Sequence, residues 1–489
     1  MTKQIKILFV AAEVAPLVKV GGLGDVAGSL PYALQSLSPE DNGGHEVDIR
    51  LVLPFHQLLH KKIEQPEFLF SFDVPTKNKP IKAVVYYCEI NGIPTYLIDG
   101  EPIEAAPAVY STDPLIDGFK YTFFSMAILP FLKKLDWQPH ILHANDWHTA
   151  LAVYNLRDKK LADPFFKNIR TILTVHNLPF MGAGTEAAFD AYGLSPSRYP
   201  LLPVWGRKFP LPLGLQTADR ISTVSQTYAE EMMTPEFGCG LEKMLQARKK
   251  VLSGIVNGLD QESWNPLTDP QIQFNFDLSS LEERGKNRLA LIEAFKLNPN
   301  PKIPLLILIS RMDQQKGVDI ALEGLRMIAV KKWQAILLGT GNPELEAASL
   351  ALEKAHPKRV RAVIRFDAGL ARRMYAGGDI LLMPSRYEPC GLAQMMAMRY
   401  GCVPLARATG GLKDTISDAI KHPKKGTGFL FGPATAEAFA RSVRKALKVY
   451  KDLEQWKGIQ ARGMSKNFSW KNSAINYIAL YLDVLGKGF

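Results

Sequence analysis

Apolar residues along this chain of 489 residues occur in short continuous runs, each followed by a longer segment of helical periodicity. The runs at residues 5–10, 169–175, 305–309 and 380–383 predict buried strands, and the segments behind them predict amphipathic helices. Strands that alternate with helices are typical of a parallel, doubly wound α/β sheet. The pattern starts again near residue 303, so we expect two Rossmann-like domains that face each other across a cleft.

Two breaks in this pattern indicate the domain limits. Residues 251–270 are rich in Asn, Gly, Asp and Pro and have no period, which is typical of a crossing between domains. We therefore expect one domain at residues 1–256 and a second at residues 257–466. Residues 470–485 predict a helix with one apolar face and no strand behind it, and we expect residues 467–489 to pack back on the first domain.

Composition argues against several classes of protein. The net charge is +11, but the basic residues are dispersed, which favours a solvated basic surface over a nucleic-acid site. No apolar run approaches the ~20 residues of a membrane helix, and the N-terminus leads directly into a strand without a secretory signal, so we expect a cytoplasmic protein. The cysteines lack C-x-x-C spacing, which argues against a disulfide framework and a zinc site; they are Cys88, Cys239, Cys390 and Cys402.

Residues 380–411, ILLMPSRYEPCGLAQMMAMRYGCVPLARATGG, combine a buried strand, a turn and the start of a helix. The first N–H groups of a helix lack intrahelical acceptors and the helix dipole is positive there, so a phosphate or diphosphate is the natural ligand. We expect the helix to begin at Gly391, where a ligand can approach the backbone closely. Glu388 lies in the same turn, and because a carboxylate would repel phosphate, we expect it to face a sugar hydroxyl.

Two cations follow the first strand of the second domain in the pattern R-x-x-x-x-K-G. Arg311 and Lys316 can converge there from one loop and one helix start, as a bidentate fork and a point charge. Fixed cations stabilise the negative charge that develops on a departing nucleoside diphosphate, and they do so without proton transfer. An ordinary basic loop is the alternative interpretation.

The first domain has a glycine-rich segment between its first strand and its first helix. Gly22, Gly24 and Ala27 fit the dinucleotide pattern G-x-G-x-x-A, which would indicate NAD. That pattern requires glycines directly after the strand and an acidic residue at the end of the second strand, whereas here the intervening segment is long and Asp48 starts the second strand. NAD is therefore disfavoured. Alternating segments at residues 68–99 predict an antiparallel meander.

Polar residues end two further strands of the first domain. Asp146 and His148 follow one strand, and His176 and Asn177 follow the next. Because ligands gather outside the carboxyl ends of parallel strands, these side chains are candidates for a site. A metal site is disfavoured, since the ligand spacing and the carboxylate partners are lacking. Capping of the following helix is the alternative for Asp146 and His176 and the preferred interpretation for His148.

Three of these patterns occur together in one family. S-R-x-E-P-C-G-L at residues 385–392, G-G-L-x-D-T at residues 410–415 and K-x-G-G-L-x-D-V at residues 19–26 resemble the bacterial and plant glycogen and starch synthases, and matching pieces lie along nearly the whole chain. The resemblance implies a GT-B-like fold and transfer of glucose from ADP-glucose to the non-reducing end of an α-1,4-glucan. It also implies retention of the α anomer, by front-face attack or through a covalent glucosyl-Glu388 intermediate, with no cofactor and no metal.

The resemblance implies a role for each matching residue. Lys19 touches the sugar-phosphate end of the donor, Asp146 faces the acceptor side of the sugar, and His176 contacts the transferred glucose. Phe366 falls where relatives stack an aromatic ring on adenine, and a core phenylalanine at a strand end is the alternative. The implied catalytic residues are Glu388, Asp146, His176, Arg311 and Lys316, and the implied donor-binding residues are Lys19, Gly21, Gly22, Asp25, Asn257, Phe366, Cys390, Gly391 and Leu392.

Two departures from the family pattern bear on these expectations. Ala393 stands where relatives commonly have Thr or Asn, which removes a side-chain hydrogen bond to the phosphates. The stretch DGFKYTFF at residues 117–124 replaces an Asp-Asn-x-x-Arg-Phe pattern, which bears on contacts with the acceptor.

Other functions remain open at the level of sequence. One is a related glucosyltransferase that uses UDP-glucose or another acceptor, such as a sucrose or trehalose-type synthase. From a different class, the chain could be a non-catalytic glucan- or nucleotide-binding protein. A glucan phosphorylase is disfavoured, because no lysine context suggests a pyridoxal Schiff base.

Overall fold

The computed structural model describes residues 4–486 and divides the chain into two compact units. The N-terminal unit takes Met1–Gly258 together with Trp470–Phe489, and the C-terminal unit takes Leu259–Ser469. The chain therefore leaves the first unit after Gly258, close to the position that the sequence indicates, and returns to it after Ser469.

The described residues of the N-terminal unit form one nine-stranded sheet. Its strands are β1 (Gln4–Val10), β2 (Glu46–Pro54), β3 (Glu67–Val74), β4 (Ile81–Ile90), β5 (Ile93–Asp99), β6 (Ile141–Asn145), β7 (Arg170–Val175), β8 (Arg220–Thr223) and β9 (Leu252–Gly254). Their order is β3-β4-β5-β2-β1-β6-β7-β8-β9. Strand β4 runs antiparallel to β3 and β5, which confirms the predicted meander, and the other neighbours are parallel.

Helices cover this sheet. They are α1 (Gly22–Gln35), α2 (Gln57–His60), α3 (Glu101–Glu104), α4 (Pro114–Leu135), α5 (Trp147–Ala162), α6 (Glu186–Ala191), α7 (Pro210–Thr217), α8 (Gln226–Glu231) and α9 (Glu242–Ala247). Because both faces are covered, the central strands are continuous apolar runs.

The C-terminal unit holds a six-stranded parallel sheet among its described residues. Its strands are β10 (Leu305–Ile309), β11 (Gln334–Gly339), β12 (Val360–Ile364), β13 (Ile380–Met383), β14 (Val403–Arg407) and β15 (Phe429–Phe431). The order is β12-β11-β10-β13-β14-β15, the doubly wound order of a dinucleotide-binding sheet. Its helices are α10 (Arg284–Ala294), α11 (Val318–Met327), α12 (Pro343–Ala355), α13 (Ala368–Gly377), α14 (Ala393–Arg399), α15 (Gly410–Thr415), α16 (Ala436–Val449) and α17 (Leu453–Met464).

Side chains alternate between the two faces of each sheet, as the two-residue period of a strand requires. In β1, Ile7 and Phe9 enter one apolar cluster, while Leu8 and Val10 enter the cluster on the opposite face. Strand β10 alternates in the same way between the two clusters of the C-terminal unit. The prediction of two doubly wound parallel sheets is confirmed.

The last helix, α18 (Trp470–Leu485), packs in the N-terminal unit. The Tyr481 hydroxyl lies 2.8 Å from Nδ1 of His143 on β6, and both side chains are fully buried. The Ser473 hydroxyl donates to the carbonyl oxygen of Val256 at 2.7 Å. The predicted return of the C-terminal helix to the first domain is therefore confirmed.

Helix α4 bears on the expectation that no apolar segment is long enough to cross a membrane. Among residues 4–486 it is the one helix long and apolar enough to cross a membrane by length and composition. Of its most apolar window, 72% is buried inside the N-terminal unit, as in a core helix. Lys120 lies on it without exposed surface, and its Nζ donates to the carbonyl oxygens of Ala108 and Val109 at 2.5 and 2.9 Å. Burial lowers the pKa of Lys120 to about 8, against the opposing influence of Asp117.

The packing of α4 accounts for the glycine at position 118, within the stretch at residues 117–124 that departs from the family pattern. A Cβ at Gly118 would lie 2.3 Å from the carbonyl oxygen of Gly184. Backbone therefore occupies the space that a larger side chain would need at position 118.

Candidate active site

Each sheet has a switch point, where the chain reverses the direction in which it adds strands. It lies between β1 and β6 in the N-terminal unit and between β10 and β13 in the C-terminal unit. Ligands of doubly wound sheets bind outside the carboxyl ends of the strands at such a point. The predicted site residues lie in the segments that follow these strands and β7, except for Asn257, which follows β9, and Phe366, which follows β12.

The C-terminal switch point holds an ion pair. Nζ of Lys316, in the loop after β10, lies 2.8 and 2.7 Å from Oε1 and Oε2 of Glu388, in the turn after β13. The Ser385 hydroxyl also donates to Oε2 of Glu388 at 3.0 Å. The side chain of Glu388 is only 6% exposed, against 21% for Lys316. Both carboxylate oxygens of Glu388 thus accept hydrogen bonds from the protein.

Arg311 has a different setting from Lys316. Its guanidinium lies 2.9 Å from the carboxylate of Asp313, donates to Oε1 of Gln315 at 3.2 Å, and has a side chain that is 65% exposed. The convergence of both cations on one diphosphate stays a prediction. Arg311 contacts Asp313 and Lys316 contacts Glu388, so the two cations hold different carboxylates.

Two glycines bring α15 against the turn that carries Glu388. A Cβ at Gly410 would lie 2.0 Å from the carbonyl oxygen of Glu388, and one at Gly411 would lie 2.0 Å from that of Cys390. The amide of Gly411 donates to the carbonyl oxygens of Glu388 and Pro389, at 3.1 Å each. The G-G of the G-G-L-x-D-T pattern thus serves close backbone packing under this turn.

The helix after this turn begins later than predicted. It starts at Ala393 with Leu392 as its N-cap residue, whereas Gly391 lies in the turn with a φ of +70°. Since L side chains rarely adopt that conformation, glycine is required here by the backbone. The buried Gln394 side chain donates from Nε2 to the carbonyl oxygens of Cys390 and Gly391, at 3.1 and 2.9 Å, and so fixes the turn.

Phe366 lies outside the core. Strand β12 ends at Ile364, and the Phe366 side chain two residues later is 86% exposed. The interpretation as a core phenylalanine is wrong, because the chain has already left the sheet. The stacking of this ring on adenine stays a prediction.

Replacing Phe366 by alanine should weaken ADP and ADP-glucose together by about 1–3 kcal/mol, the range for an aromatic ring stacked on a base. The free energy of unfolding should not change, since the ring buries little surface. Calorimetric ADP titrations would measure the effect. Val330→Ala is a matched control, because Val330 is an exposed apolar residue of the same unit. Equal ADP affinity in both variants would remove Phe366 from the base site.

The glycine-rich loop of the N-terminal unit is anchored on Glu13. This carboxylate is 2% exposed and accepts hydrogen bonds from the amides of Val20 and Gly21, the latter at 3.0 Å from Oε2. The Tyr110 hydroxyl donates to Oε1 at 3.1 Å. Glu13 was not predicted; the signal was an acidic residue shortly after an apolar strand, in the segment that leads to the glycines.

Lys19 and Asp25 face each other across this loop. Nζ of Lys19 lies 2.7 Å from Oδ1 of Asp25, with side chains 47% and 26% exposed. Around Gly22, no atom lies within 4 Å of the place a Cβ would take. The loop therefore presents an exposed ammonium and open backbone. Asp48 lies within β2 near its start, as the argument against an NAD site requires.

Asp146 follows β6 in a conformation that is rare for a residue with a side chain, with φ 55° and ψ −172°. Such a conformation costs on the order of 1–3 kcal/mol and is common at functional sites. Its Oδ1 accepts from the amide of His176 at 2.7 Å. Burial raises the pKa of Asp146 to about 7, although the amides of His176 and Asn177 favour the charged form and act in the opposite direction.

His176 is held in one tautomer by its neighbours. Nδ2 of Asn145 donates to the carbonyl oxygen of Val10 at 3.0 Å, which leaves Oδ1 of Asn145 as an acceptor 2.9 Å from Nε2 of His176. Nε2 therefore carries the proton, and Nδ1 can accept a hydrogen bond from a sugar hydroxyl. Burial lowers the pKa of His176 to about 3, so the ring stays neutral at physiological pH.

The capping interpretations do not hold. Asp146 is the N-cap residue of α5, but its side chain makes no capping hydrogen bond and instead holds the next loop. His148 lies inside α5, buried against Tyr121 and Trp147 with ring centroids 4.5 and 4.3 Å apart. Burial moves its pKa well below the usual value. We assign His148 to the core.

Four buried polar atoms, in the segments that follow β7, β9, β10 and β13, lack a hydrogen-bond partner among the described residues. They are Oδ1 of Asn177, Oδ1 of Asn257, Oγ of Ser310 and Oε1 of Gln394. Such atoms are costly unless a ligand or water satisfies them. Asn257 was predicted to bind donor, and the other three were not. In the same part of the chain, no group of three His, Cys, Asp or Glu side chains is arranged to hold a metal ion.

Comparison with known families identifies the class of the protein. Residues 6–247 match the model of the starch synthase catalytic domain, and residues 291–461 match that of the glycosyl transferases group 1. Together with two doubly wound units, each with polar side chains at its switch point, these matches define a glycosyltransferase of two Rossmann-like domains.

Relatives of known name narrow this class. Glycogen synthase 2 of Geobacter sulfurreducens is 37% identical, with 98% of each chain covered, and glycogen synthase of Thermotoga maritima is 38% identical, with 99% of each covered. The catalytic domain of starch synthase IV from Arabidopsis thaliana, bound to ADP and acarbose, superposes with a TM-score of 0.87 at 30% identity and covers 99% of this chain and 100% of that one. The chain belongs to the family of glycogen and starch synthases.

Proposed function

We propose that this protein transfers glucose from ADP-glucose to the non-reducing end of an α-1,4-glucan with retention of the α configuration, in the cytoplasm. The observation that carries the proposal is the buried Lys316–Glu388 pair at the C-terminal switch point, directly before the first turn of α14. A carboxylate suits sugar hydroxyls there, and a cation suits a departing phosphate. The starch synthase of similar structure is bound to ADP and acarbose, which supports a nucleotide and a saccharide as ligands of this protein.

Each unit has its own part in this proposal. In the C-terminal unit, Arg311, Lys316 and the amides of Gly391 and Leu392 meet the negative charge that grows on the diphosphate as the anomeric bond breaks. Lys19 of the N-terminal loop meets the sugar-phosphate end.

On the sugar side, Glu388 accepts hydrogen bonds from glucose hydroxyls. The neutral His176 accepts another through Nδ1, and Asp146 faces the acceptor.

Front-face attack is the mechanism we favour over a covalent glucosyl intermediate. Both oxygens of Glu388 already accept charge-assisted hydrogen bonds from Lys316, and one also accepts from Ser385. Charge-assisted hydrogen bonds of this kind make the carboxylate a weaker nucleophile, while it can still accept a hydrogen bond from a sugar hydroxyl. The departing diphosphate, held by the cations, can instead assist deprotonation of the acceptor hydroxyl.

Incubation with ADP-glucose or UDP-glucose and maltooligosaccharides of defined length tests the proposal. We expect chain elongation with ADP-glucose at the higher kcat/KM, and an α-1,4 linkage in the product by proton NMR. Elongation with UDP-glucose but not with ADP-glucose would overturn the proposal that ADP-glucose is the donor. Tight ADP binding without transfer to any glucan would favour a non-catalytic binding protein.

We also expect activity to survive a chelator, because protein cations and amides supply the positive charge that a divalent metal would otherwise provide. Initial rates with ADP-glucose and maltooligosaccharide should be equal before and after dialysis against EDTA. A complete loss of activity that magnesium restores would contradict this.

A further inference from the structure

A second cavity of the C-terminal unit lies apart from the switch point. It has a volume of about 610 Å³ and lies beside the edge strand β15, between α15 and α16. This size falls in the usual range for a small-molecule site. No role assigned above uses its residues.

The lining of this cavity is strongly basic. Five cations contribute to it: Lys413, Lys421, Arg441, Lys445 and Lys466. Within residues 4–486 none of the five takes part in a salt bridge, although each is close enough to the others to share one cavity. Like charges gathered in this way repel each other, and a multiply charged anion would relieve the repulsion.

The two carboxylates of the lining do not neutralise these cations. Oδ1 of Asp418 accepts from the amides of Ile420 and Lys421, at 2.7 and 3.4 Å, and so is used by its own turn. Asp414 is engaged by another residue. The cavity therefore keeps an excess of positive charge.

The rest of the lining indicates the size and class of the anion. The one phenylalanine among the lining residues, Phe431, is 6% exposed, so no flat apolar surface is offered to a glucan chain or a nucleic-acid base. Hydroxyls of Ser417 and Ser442 stand beside the cations and suit a polyhydroxylated body. A small phosphorylated metabolite with more than one negative charge fits this chemistry best.

The cavity is connected to the turn of Glu388 through one short helix. Lys413 contributes to the cavity from α15, and the other end of that helix packs Gly410 and Gly411 against the turn. The amide of Gly411 bonds the carbonyl oxygen of Glu388 at 3.1 Å. An anion bound by Lys413 on α15 together with Arg441 and Lys445 on α16 would hold α15 against α16, and with it the two glycines that pack against the turn of Glu388.

We propose that this basic cavity is a regulatory site for a small phosphorylated metabolite, and that its occupation raises the activity of the enzyme. The binding depends only on the cavity, whereas the effect on rate rests on the proposed function of Glu388.

Calorimetric titration of the full chain with fructose 1,6-bisphosphate, 3-phosphoglycerate and inorganic phosphate tests the binding. Saturating ADP is present throughout, so that the donor site is occupied. The bisphosphate should bind most tightly and fructose itself should not bind. Affinity should fall as salt rises, because the contacts are electrostatic.

Two variants on α16 make the titration specific. Arg441→Gln combined with Lys445→Gln should weaken the bisphosphate tenfold or more. Lys448→Gln, an exposed lysine on the same helix outside the cavity, should leave the affinity unchanged. Absence of binding, or equal binding by both variants, would overturn the site. Binding of poly-glutamate in place of the phosphates would overturn it as well.

The rate effect is measured separately. The bisphosphate should raise kcat/KM for ADP-glucose about fivefold or more, as is typical of coupled sites, and only in chains with an intact cavity. Binding without a change in rate would overturn the regulatory role. If the protein transferred no glucose at all, the proposed function would fail while the calorimetric result stood.

Discussion

Replacing Lys316 by alanine is expected to lower kcat by about a hundredfold to a thousandfold, the loss seen for a single preorganised electrostatic donor. Charge on the leaving diphosphate grows as the anomeric bond breaks, so a cation held there favours the transition state over the ground state. The same change leaves Glu388 buried with only the Ser385 hydroxyl. Breaking a buried pair in this way costs about 3–5 kcal/mol of stability, and we expect the lower part of that range because Lys316 is partly exposed.

Arg311→Ala is the matched comparison. Because its guanidinium is 65% exposed, the free energy of unfolding should change by no more than about 0.5 kcal/mol, while kcat should fall by about a hundredfold. Steady-state kinetics, calorimetric unfolding and a separate measurement of maltooligosaccharide binding would separate the two effects. Glucan binding should stay near normal in both variants. A folded Lys316→Ala protein with near-normal kcat would remove this loop from the diphosphate site.

Double variants extend the same argument. Lys316→Met with Glu388→Gln should be less destabilised than the sum of the two single changes, since it removes both charges and leaves neither buried alone. Arg311→Ala with Lys316→Ala should be less than additive in kcat, because both cations act on one leaving group. Additivity in both cycles would mean that the three residues do not work as one cluster.

The architecture could be predicted because it follows from local periods. Runs such as Leu305–Ile309 alternate between two buried faces, and the helical segments behind them carry one apolar face each. The crossing near residue 257 is marked by turn residues and the absence of a period. The contacts of Lys120 on α4 could not be predicted, because a single lysine in an apolar helix does not reveal which carbonyl oxygens it will reach.

Individual residues of the candidate site could be predicted from the sequence, but the contacts between them could not. Lys316 and Glu388 lie 72 positions apart, and their contact depends on β10 and β13 being neighbours in the sheet, which no local pattern shows. Glu13 was missed for the same reason, since its acceptor role depends on how the glycine-rich loop folds back. The error at Gly391 came from the turn, which needs a positive φ for one residue before the helix can begin.

Asp146→Asn is the second change for which we expect a large effect, a fall in kcat of about a hundredfold and the loss of a pH dependence near neutrality. Burial raises the pKa of Asp146 to about 7, and the nearby Glu13 adds to the shift. Because we expect the charged carboxylate to be the form that acts on the acceptor side of the sugar, wild-type kcat/KM should rise as pH increases through about 7. Asparagine keeps the shape and the acceptor oxygen for the amide of His176 but carries no charge at any pH.

The stability of the same pair of proteins supplies an independent readout, with the opposite sign. The folded pKa of Asp146 lies above its unfolded value of 3.8, so the folded state binds the extra proton between about pH 4 and pH 7. Wild-type stability should therefore fall, relative to Asp146→Asn, as pH rises through that window. At about 1.4 kcal/mol per pKa unit, the full difference is on the order of 4 kcal/mol. Urea unfolding of both proteins from pH 4 to pH 8 would measure it.

His176 is the neighbour that could otherwise explain a pH effect. Its pKa is lowered to about 3 by burial, so the ring stays neutral and cannot give a change near pH 7. A pH–rate profile of Asp146→Asn should therefore be flat through neutrality, while His176→Gln should keep the rise at a lower rate. A rise near pH 7 that persists in Asp146→Asn would assign it to another group. Stability curves that stay parallel from pH 4 to pH 7 would mean that Asp146 is ionised in the folded protein throughout.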